Sequence, residues 1–157
     1  MVPLERRMTG IRVSLVVIAA ALAVASQAQA QCRVSVDSGV AFGPYNVFGT
    51  AHVETTGEVS WRCPGNSPMA VQITISGGRN RDGISRRLAQ GGEFLRYDLY
   101  RDAARTLVWG DGTYGGSYTA VYPGGGWIHV AIYARIPKEQ DVAAGIYTDT
   151  VAVVINF

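Results

Sequence analysis

Apolar and polar residues alternate along most of the chain beyond residue 31, and turn-forming residues separate the alternating stretches. The clearest alternation lies in Met69–Ile75, Phe94–Tyr100, Trp127–Ile136 and Ile146–Phe157. A two-residue period places the apolar side chains on one face of a β-strand. No stretch of this part combines a sustained helical period with capping residues. The pattern therefore predicts an all-β protein.

Shorter or less regular stretches fill the intervals between these strands. Ala51–Cys63 predicts a strand, and Thr106–Trp109 a short one. Arg79–Gly92 is polar and predicts a loop with a short irregular strand. Thr113–Gly126, rich in glycine and tyrosine, predicts an exposed connection or flap. About seven short strands with turns between them are typical of an antiparallel β-sandwich.

The first thirty residues have the composition of an export signal. Arg6, Arg7 and Arg12 precede an apolar run, Val13–Ala25, and the small-x-small pattern of a signal peptidase site follows at Ala28–Ala30. The run is shorter than the roughly 20 residues that cross a bilayer. The alternative is an N-terminal anchor that is retained.

Cleavage after Ala30 would divide the chain into a signal peptide, residues 1–30, and one domain, residues 31–157. Met8 is an alternative start that would leave a more compact signal. The basic excess belongs to the signal, because the mature domain has equal numbers of basic and acidic residues. We therefore expect no nucleic-acid partner and no stable membrane anchor after cleavage.

Both cysteines, Cys32 and Cys63, lie in the predicted mature domain. Two cysteines in an exported chain predict one disulfide. The closed loop of about 30 residues would contribute roughly 3–4 kcal/mol on the chain-entropy model. The alternatives are two free thiols or a metal site, and two thiols without a nearby histidine make a poor zinc site.

The sequence contains no recognisable catalytic, metal-binding or cofactor-binding motif. The two histidines, His52 and His129, are far apart, and His129 lies in a predicted strand, where a structural role is expected. No nucleophile elbow, zinc-protease motif or phosphate-binding glycine loop occurs. The sequence thus predicts a protein that is not an enzyme and that needs no cofactor or metal.

The charged residues of the middle of the chain predict surface roles. Asp98 and Asp102 suggest surface ion pairs, and Asp111 lies between two glycines in a predicted turn. Arg86 and Arg87 are interpreted as a solvated loop face, with a weak anion-binding patch as the alternative.

Four aromatic residues cluster in or beside the glycine-rich segment. They are Tyr114, Tyr118, Tyr122 and Trp127. Exposed rings on loops can stack on sugars or attach to apolar surfaces. The cluster suggests surface adhesion or carbohydrate binding, and the alternative is that half of the rings pack under the edge of the sandwich.

Several segments, taken in order, carry a family resemblance. They are Cys32, Phe42-Gly43-x-Tyr45, Cys63, Ile73–Gly78, Tyr97–Thr106, Trp109–Gly112 and the ending Gly145–Phe157 (GIYTDTVAVVINF). Their order resembles the spore coat protein U family, which includes the archaic chaperone–usher pilins. The resemblance implies an incomplete immunoglobulin-like sandwich of six or seven strands that lacks its final strand. It also implies a periplasmic chaperone, an outer-membrane usher and other pilin or coat subunits as partners.

The last strand supports this interpretation from its own residues. One of its faces presents Tyr147, Val151, Val153, Ile155 and Phe157. If it is the penultimate strand of the sandwich, the edge beyond it is open, and these residues would line a groove for a donor strand or a chaperone. The alternative is a strand that is already central, or covered by an early strand.

The predicted mature chain begins one residue before Cys32, which leaves no segment to serve as a donor strand. We therefore expect a secreted assembly subunit of a pilus or spore-coat-like structure, at a terminal or tip position. The alternative functions are a secreted adhesin or carbohydrate-binding module and, with no residues to support it, a small hydrolase.

Overall fold

Eight antiparallel β-strands make up the fold. The computed structural model describes residues 32–65, 68–83 and 85–157, so the predicted signal peptide, residues 1–30, lies outside the described residues. The strands are β1 (Arg33–Ser38), β2 (Val53–Arg62), β3 (Met69–Ile75), β4 (Arg86–Gln90), β5 (Glu93–Tyr100), β6 (Tyr118–Tyr122), β7 (Ile128–Ile136) and β8 (Val153–Asn156). No helix occurs among the described residues.

The strands form two sheets that pack face to face. One sheet has five strands in the order β1-β2-β7-β5-β4, and the other has three in the order β6-β3-β8. Every pairing between named strands is antiparallel. The predicted all-β antiparallel sandwich is confirmed.

Inward-facing apolar residues of both sheets build one core, as the two-residue period predicts. Ile73 and Ile75 of β3 face Ile132 of β7 across the core, and all three side chains are buried. Trp109 is also buried and donates its indole N–H to the carbonyl oxygen of Ile73 at 3.0 Å. Trp109 lies in isolated bridges, so the strand predicted over Thr106–Trp109 is reduced to single pairings.

The predicted flap over Thr113–Gly126 is wrong in its centre. Residues 118–122 form β6, which pairs with β3 from Ile73↔Tyr118 to Met69↔Tyr122. The alternation of Tyr118, Ala120 and Tyr122 is that of a half-buried strand, and all three pack on or into the core. Glycines on both sides obscure this short alternation in the sequence.

The interpretation of Arg86 as part of a solvated loop is also wrong. Arg86 begins β4, and its side chain is completely buried. Its guanidinium donates to the backbone oxygens of Ser76 (2.9 and 2.7 Å), Ile75 (3.1 Å) and Trp109 (2.8 Å). It also pairs with the Asp98 carboxylate at 3.0 Å. Burial requires this complete set of acceptors, because an unpaired buried charge is very costly.

Asp98 is correspondingly part of the interior and not of the surface. Its second carboxylate oxygen accepts the hydroxyl of Tyr114, whose ring lies under the Arg86 guanidinium at 5.0 Å. Burial raises the pKa of the Asp98 carboxyl, while the Tyr114 hydrogen bond and the Arg86 charge oppose that shift. Arg86, Asp98 and Tyr114 are called the buried charge cluster below.

The predicted disulfide joins Cys32 to Cys63, with sulfurs 1.95 Å apart. It links the residue before β1 to the residue after β2, beside the pair Arg33↔Arg62. The bond therefore fixes β1 at one end of the five-stranded sheet. Among the described residues, no helix has the length and apolar character to cross a membrane.

Candidate functional site

Two strands at the ends of the two sheets, β1 and β8, lie beside each other without pairing. β1 is hydrogen-bonded to β2 alone, and β8 to β3 alone, within the part of the chain that the structure describes. Each therefore has one edge with no strand hydrogen-bonded to it among these residues. The space between β1 and the C-terminal segment, residues 145–157, is called the open groove.

The C-terminal segment is held along only one of its edges. Thr148 exchanges two hydrogen bonds with Ala89, at 2.8 and 3.1 Å, and the carbonyl oxygens of Thr150 and Ala152 accept from the loop after β3. Backbone groups of successive strand residues point to opposite edges. The N–H and C=O groups of residues 149, 151, 153 and 155 therefore point into the open groove.

A cavity of about 360 Å³ forms the inner part of the groove. Its walls are Val36, Gly39 and Val40 on the β1 side and Asp149–Val151 and Val153 on the other side. Its floor consists of core residues of both sheets. They are Ile75, Tyr97, Leu99 and Ile132. The gap between the sheets thus opens directly onto the hydrophobic core.

A second cavity, of about 660 Å³, continues the groove towards one end of the sandwich. Residues 40–48 and 142–147 form its sides, and it shares Val40, Phe42 and Leu88 with the inner cavity. At its mouth, Phe48 is 90% exposed and Ile146 is 84% exposed. The two adjoining cavities, lined mostly by apolar residues, lie beside the C-terminal segment and are together called the channel below.

Phe42 and Tyr45, from the Phe-Gly-x-Tyr segment, shape the wall of this channel. The Phe42 ring packs edge-on against Tyr97, with ring centres 5.8 Å apart. Tyr45 donates its hydroxyl to the carbonyl oxygen of Pro137 at 3.2 Å and accepts the N–H of Gln140 at 2.9 Å. Between them, Gly43 has φ +72°, a conformation that favours glycine. The segment is therefore fastened to the loop after β7.

Asp149 anchors the C-terminal segment where it crosses from one sheet to the other. Its carboxylate accepts the Tyr97 hydroxyl at 2.8 Å, the N–H of Arg79 at 3.0 Å and the side-chain amide of Asn80 at 3.2 Å. Gly78 has φ +85°, and a Cβ there would collide with this carboxylate. The contact between the Thr-Asp-Thr and Gly-Gly segments therefore requires a glycine at position 78.

Burial, followed by the hydrogen bond to Asp149, raises the pKa of Tyr97 above its ordinary value of 10.0. In the unfolded chain the phenol ionises near that value, whereas in the folded chain it keeps its proton. We expect the free energy of unfolding to fall above pH 10 by up to about 1.4 kcal/mol per pH unit from this residue. Alkaline urea titrations would measure the slope. Tyr97→Phe should flatten it, and an unchanged slope in that variant would contradict the assignment.

The residues predicted to line the groove occupy one face of the C-terminal segment, except at its end. Tyr147, Val151, Val153 and Ile155 pack against the core. Phe157 does not, since 57% of it is exposed. The strand itself is shorter than predicted, because only Val153–Asn156 pairs continuously and Thr148 forms an isolated bridge.

The four aromatic residues proposed for adhesion do not form one exposed patch. Tyr114 is 9% exposed and Tyr122 is 1% exposed, and Tyr118 packs against Trp109 with ring centres 5.4 Å apart. Of the four, Trp127 is the most exposed, at 41%, and the Arg62 guanidinium lies over it at 5.4 Å. Half of the cluster is thus part of the core, as in the alternative interpretation of the sequence.

His129 lies on the outer face of the five-stranded sheet beside Glu58 and Ser60. Its Nδ1 atom is 2.7 Å from Glu58 Oε1 and 2.8 Å from Ser60 Oγ. A serine–histidine–acid relay needs the serine and the acid on different ring nitrogens. This group therefore lacks the arrangement of a catalytic triad. The described residues also contain no cluster of three or more histidine, cysteine or acidic side chains suited to a metal ion.

Comparison with known proteins decides the family. The model of the Spore Coat Protein U domain matches residues 18–154. The chain belongs to this family. Among curated proteins, it is 34% identical to Protein U of Myxococcus xanthus over 71 residues, which is 45% of this chain. The chain spans 38% of the length of that relative.

Two solved structures with a similar fold contain pilus subunits. One is a chain of the CsuC–CsuE chaperone–tip adhesion subunit pre-assembly complex, from archaic Csu pili of Acinetobacter baumannii. It has a TM-score of 0.56 and 21% identity, over 81% of this chain and 39% of that one. Another is the P pilus rod subunit PapA, with a TM-score of 0.55 and 16% identity, over 80% of this chain and 97% of that one. The spore coat U domain described here therefore has a pilin-like fold.

Proposed function

We propose that this spore coat U domain is a structural subunit that completes its fold with a strand from another protein. The observation that carries the proposal is the open groove between β1 and the C-terminal segment, floored by Ile75, Leu99 and Ile132. An extended segment there would pair with the free edge of residues 149–155. This is β-strand addition, in which backbone hydrogen bonds supply affinity and alternate side chains supply specificity.

The groove suits a strand with alternating apolar residues. Its inner cavity has an apolar floor, and the side chains of Val151 and Val153 face it. A strand that paired with the C-terminal segment would direct every second side chain towards that floor. Such a strand would cover apolar surface that a monomer leaves open, and this coverage would stabilise the domain.

Two occupants in succession are proposed, by resemblance to the chaperone–usher systems with this fold. A periplasmic chaperone would fill the groove first, with Phe157 among its contacts. A strand from another pilin or coat subunit would then replace it at an outer-membrane usher. This places the mature protein in the periplasm during transit and at the cell surface afterwards. A terminal or tip position in the assembly stays a prediction.

A donor-strand experiment tests the proposal. The mature chain is expected to aggregate or unfold readily alone, and to be stabilised by a chaperone or by a synthetic peptide with alternating large apolar residues. The measurement is the unfolding midpoint with and without peptide, with a scrambled peptide of equal composition as control. A chain that is a very stable monomer, with the same midpoint with either peptide or neither, would refute the open groove as a binding site.

A further inference from the structure

The sandwich has a second unguarded edge, at β6, on the opposite side of the three-stranded sheet from the open groove. β6 pairs with β3 and with no other strand among the described residues. Residues 112–128 contain no charged side chain, and Val121 is 66% exposed. Natural proteins usually protect an edge of this kind with lysine, proline or a bulge, because it can pair with another chain.

The pairing pattern shows which backbone groups of β6 are free. The N–H of Ser76 donates towards the β8 side, to Ala152, and that of Ile75 donates towards the opposite side, to Gly110. Because backbone groups alternate in direction along a strand, the N–H and C=O groups of Ile73, Val71 and Met69 point to β6. Their partners Tyr118, Ala120 and Tyr122 therefore direct their own backbone groups towards β3. The N–H and C=O groups of Thr119 and Val121 therefore point away from the sheet.

Both ends of this free edge are closed. Arg101 Nη1 donates to the carbonyl oxygen of Ser117 at 2.6 Å. At the other end, Pro123 has no N–H to offer. Between these ends, Thr119 and Val121 offer two N–H and two C=O groups to a partner strand.

We propose that β6 pairs antiparallel with β6 of a second copy of this chain, centred on Ala120. The segment Tyr-Thr-Ala-Val-Tyr is nearly the same in both directions. Thr119 would face Val121 of the second copy, and the symmetric pair would repeat this contact, so all four free groups gain a partner. Tyr118 would face Tyr122 of the second copy on the inner side, which keeps both cores continuous.

The ends of the strand fit this register. Ser117 would face Pro123 of the second copy, which cannot donate a hydrogen bond to the Ser117 carbonyl oxygen. That oxygen already accepts from Arg101. The Ser117 carbonyl oxygen at each end of the paired segment therefore keeps a hydrogen-bond donor.

Charge also favours a second copy as the occupant. The exposed residues on the outer face of the three-stranded sheet are uncharged. They are Ala70, Gln72, Thr119, Val121, Val154 and Asn156. The outer face of the five-stranded sheet instead carries the ion pairs of Glu54 with Arg105 and Arg135. Two copies joined at β6 would place only uncharged faces side by side, without like-charge repulsion.

The contact is short and belongs with weak, transient interfaces. The open groove would link successive subunits through a donor strand. Pairing at β6 would instead join two subunits side by side, about a two-fold axis. A two-fold contact combined with a head-to-tail contact produces a layer or bundle in place of a single fibre.

Amide hydrogen exchange and sedimentation test the pairing on the mature chain, with the donor peptide added to fill the open groove, at concentrations up to about 1 mM. Sedimentation should show reversible dimers, with protection of the Thr119 and Val121 amides rising with concentration. The Ala120 amide, already bonded to β3, serves as an internal reference. Association that leaves both amides unprotected, or no association at the highest concentration, would overturn the proposal.

Variants distinguish pairing through the β6 edge from nonspecific association of exposed apolar residues. Val121→Lys should weaken dimers by at least about tenfold, since the two lysines would be diagonal neighbours on the same face of the paired strands and would repel each other. Leu107→Lys, which replaces another exposed apolar residue in a loop, should leave them unchanged. Thr119→Pro, which removes one free N–H and no bond to β3, is a second variant if the first fails to fold.

Dimers that both β6 variants leave intact would refute the inference. Donor-peptide binding is measured in the same samples, so failure of the groove and failure of the β6 edge are read independently.

Discussion

Arg86→Ala is expected to destabilise the domain by about 3–5 kcal/mol, the usual cost of removing one partner of a buried ion pair. The side chain is completely buried, and its loss leaves the Asp98 carboxylate, 14% exposed, without its cation. The backbone oxygens of Ile75, Ser76 and Trp109 lose their donor in the same variant. Urea unfolding of the peptide-complemented chain would measure the change.

Arg87→Ala is the matched control. Arg87 is the next residue in β4, donates to the carbonyl oxygen of Asn80 at 2.6 Å and covers the Phe94 ring, but it remains partly open to solvent. Its loss should cost about 1 kcal/mol or less. Arg86→Lys keeps the charge but has one nitrogen where three are used, so it should recover only part of the stability. Equal stabilities of the Ala variants at 86 and 87 would contradict the role of the buried charge cluster.

The buried charge cluster also bears on the groove. Arg86 fixes Ile75 and Ser76 at the end of β3, and Ile75 is part of the groove floor. Ser76 in turn donates its backbone N–H to Ala152 and accepts the Ala152 N–H on its side chain, both at 2.9 Å. The cluster thus holds the end of β3 against which the C-terminal segment pairs. We infer that it keeps the groove in shape while the groove is empty.

The sequence predicts the long strands well, whereas it gives β4 only as a short irregular strand in a loop and misses β6. β3 and β7 have seven and nine residues, enough for the two-residue period to stand out. β4 and β6 have five each. β6 is flanked by glycines and β4 begins with two arginines, so both resemble loops. Their strand character comes from the neighbours they pair with, β3 and β5.

The burial of Arg86 could not be predicted from sequence in any direct way. Three of its partners are backbone oxygens, which have no sequence signature. Its carboxylate partner, Asp98, lies on the next strand, 12 residues away. The pairing Arg86↔Tyr97 brings the two together, and that register is a property of the folded sheet.

The inward face of the C-terminal segment was predictable, whereas the groove was not. The alternation of Val151, Val153 and Ile155 gives the face directly. That the edge beside it is free depends on β1 pairing with β2 alone and on the sheet order. The family resemblance supplied that expectation, and the two cavities beside the C-terminal segment agree with it.

The groove predicts opposite effects for two neighbouring valines. Val153 faces the inner cavity, while Val154 points to the outer surface, where it is 48% exposed. Val153→Glu should weaken donor-peptide binding by at least about 100-fold, because the strand would bury a carboxylate with no partner. Val154→Glu adds the same charge one residue away and should change the affinity by less than about threefold. Calorimetric titration with the same peptide would measure both.

The folded state of each variant must be established before the affinities are compared. Val153 also packs on the core, so its glutamate variant can lose stability as well as affinity. Val153→Thr, which is nearly isosteric, covers that case and should still weaken binding measurably while leaving the circular dichroism unchanged. Equal losses of affinity at 153 and 154 would mean that the peptide does not enter the groove. A loss confined to 153 would place the donor strand along the free edge of β8, with its inward side chains over the open core.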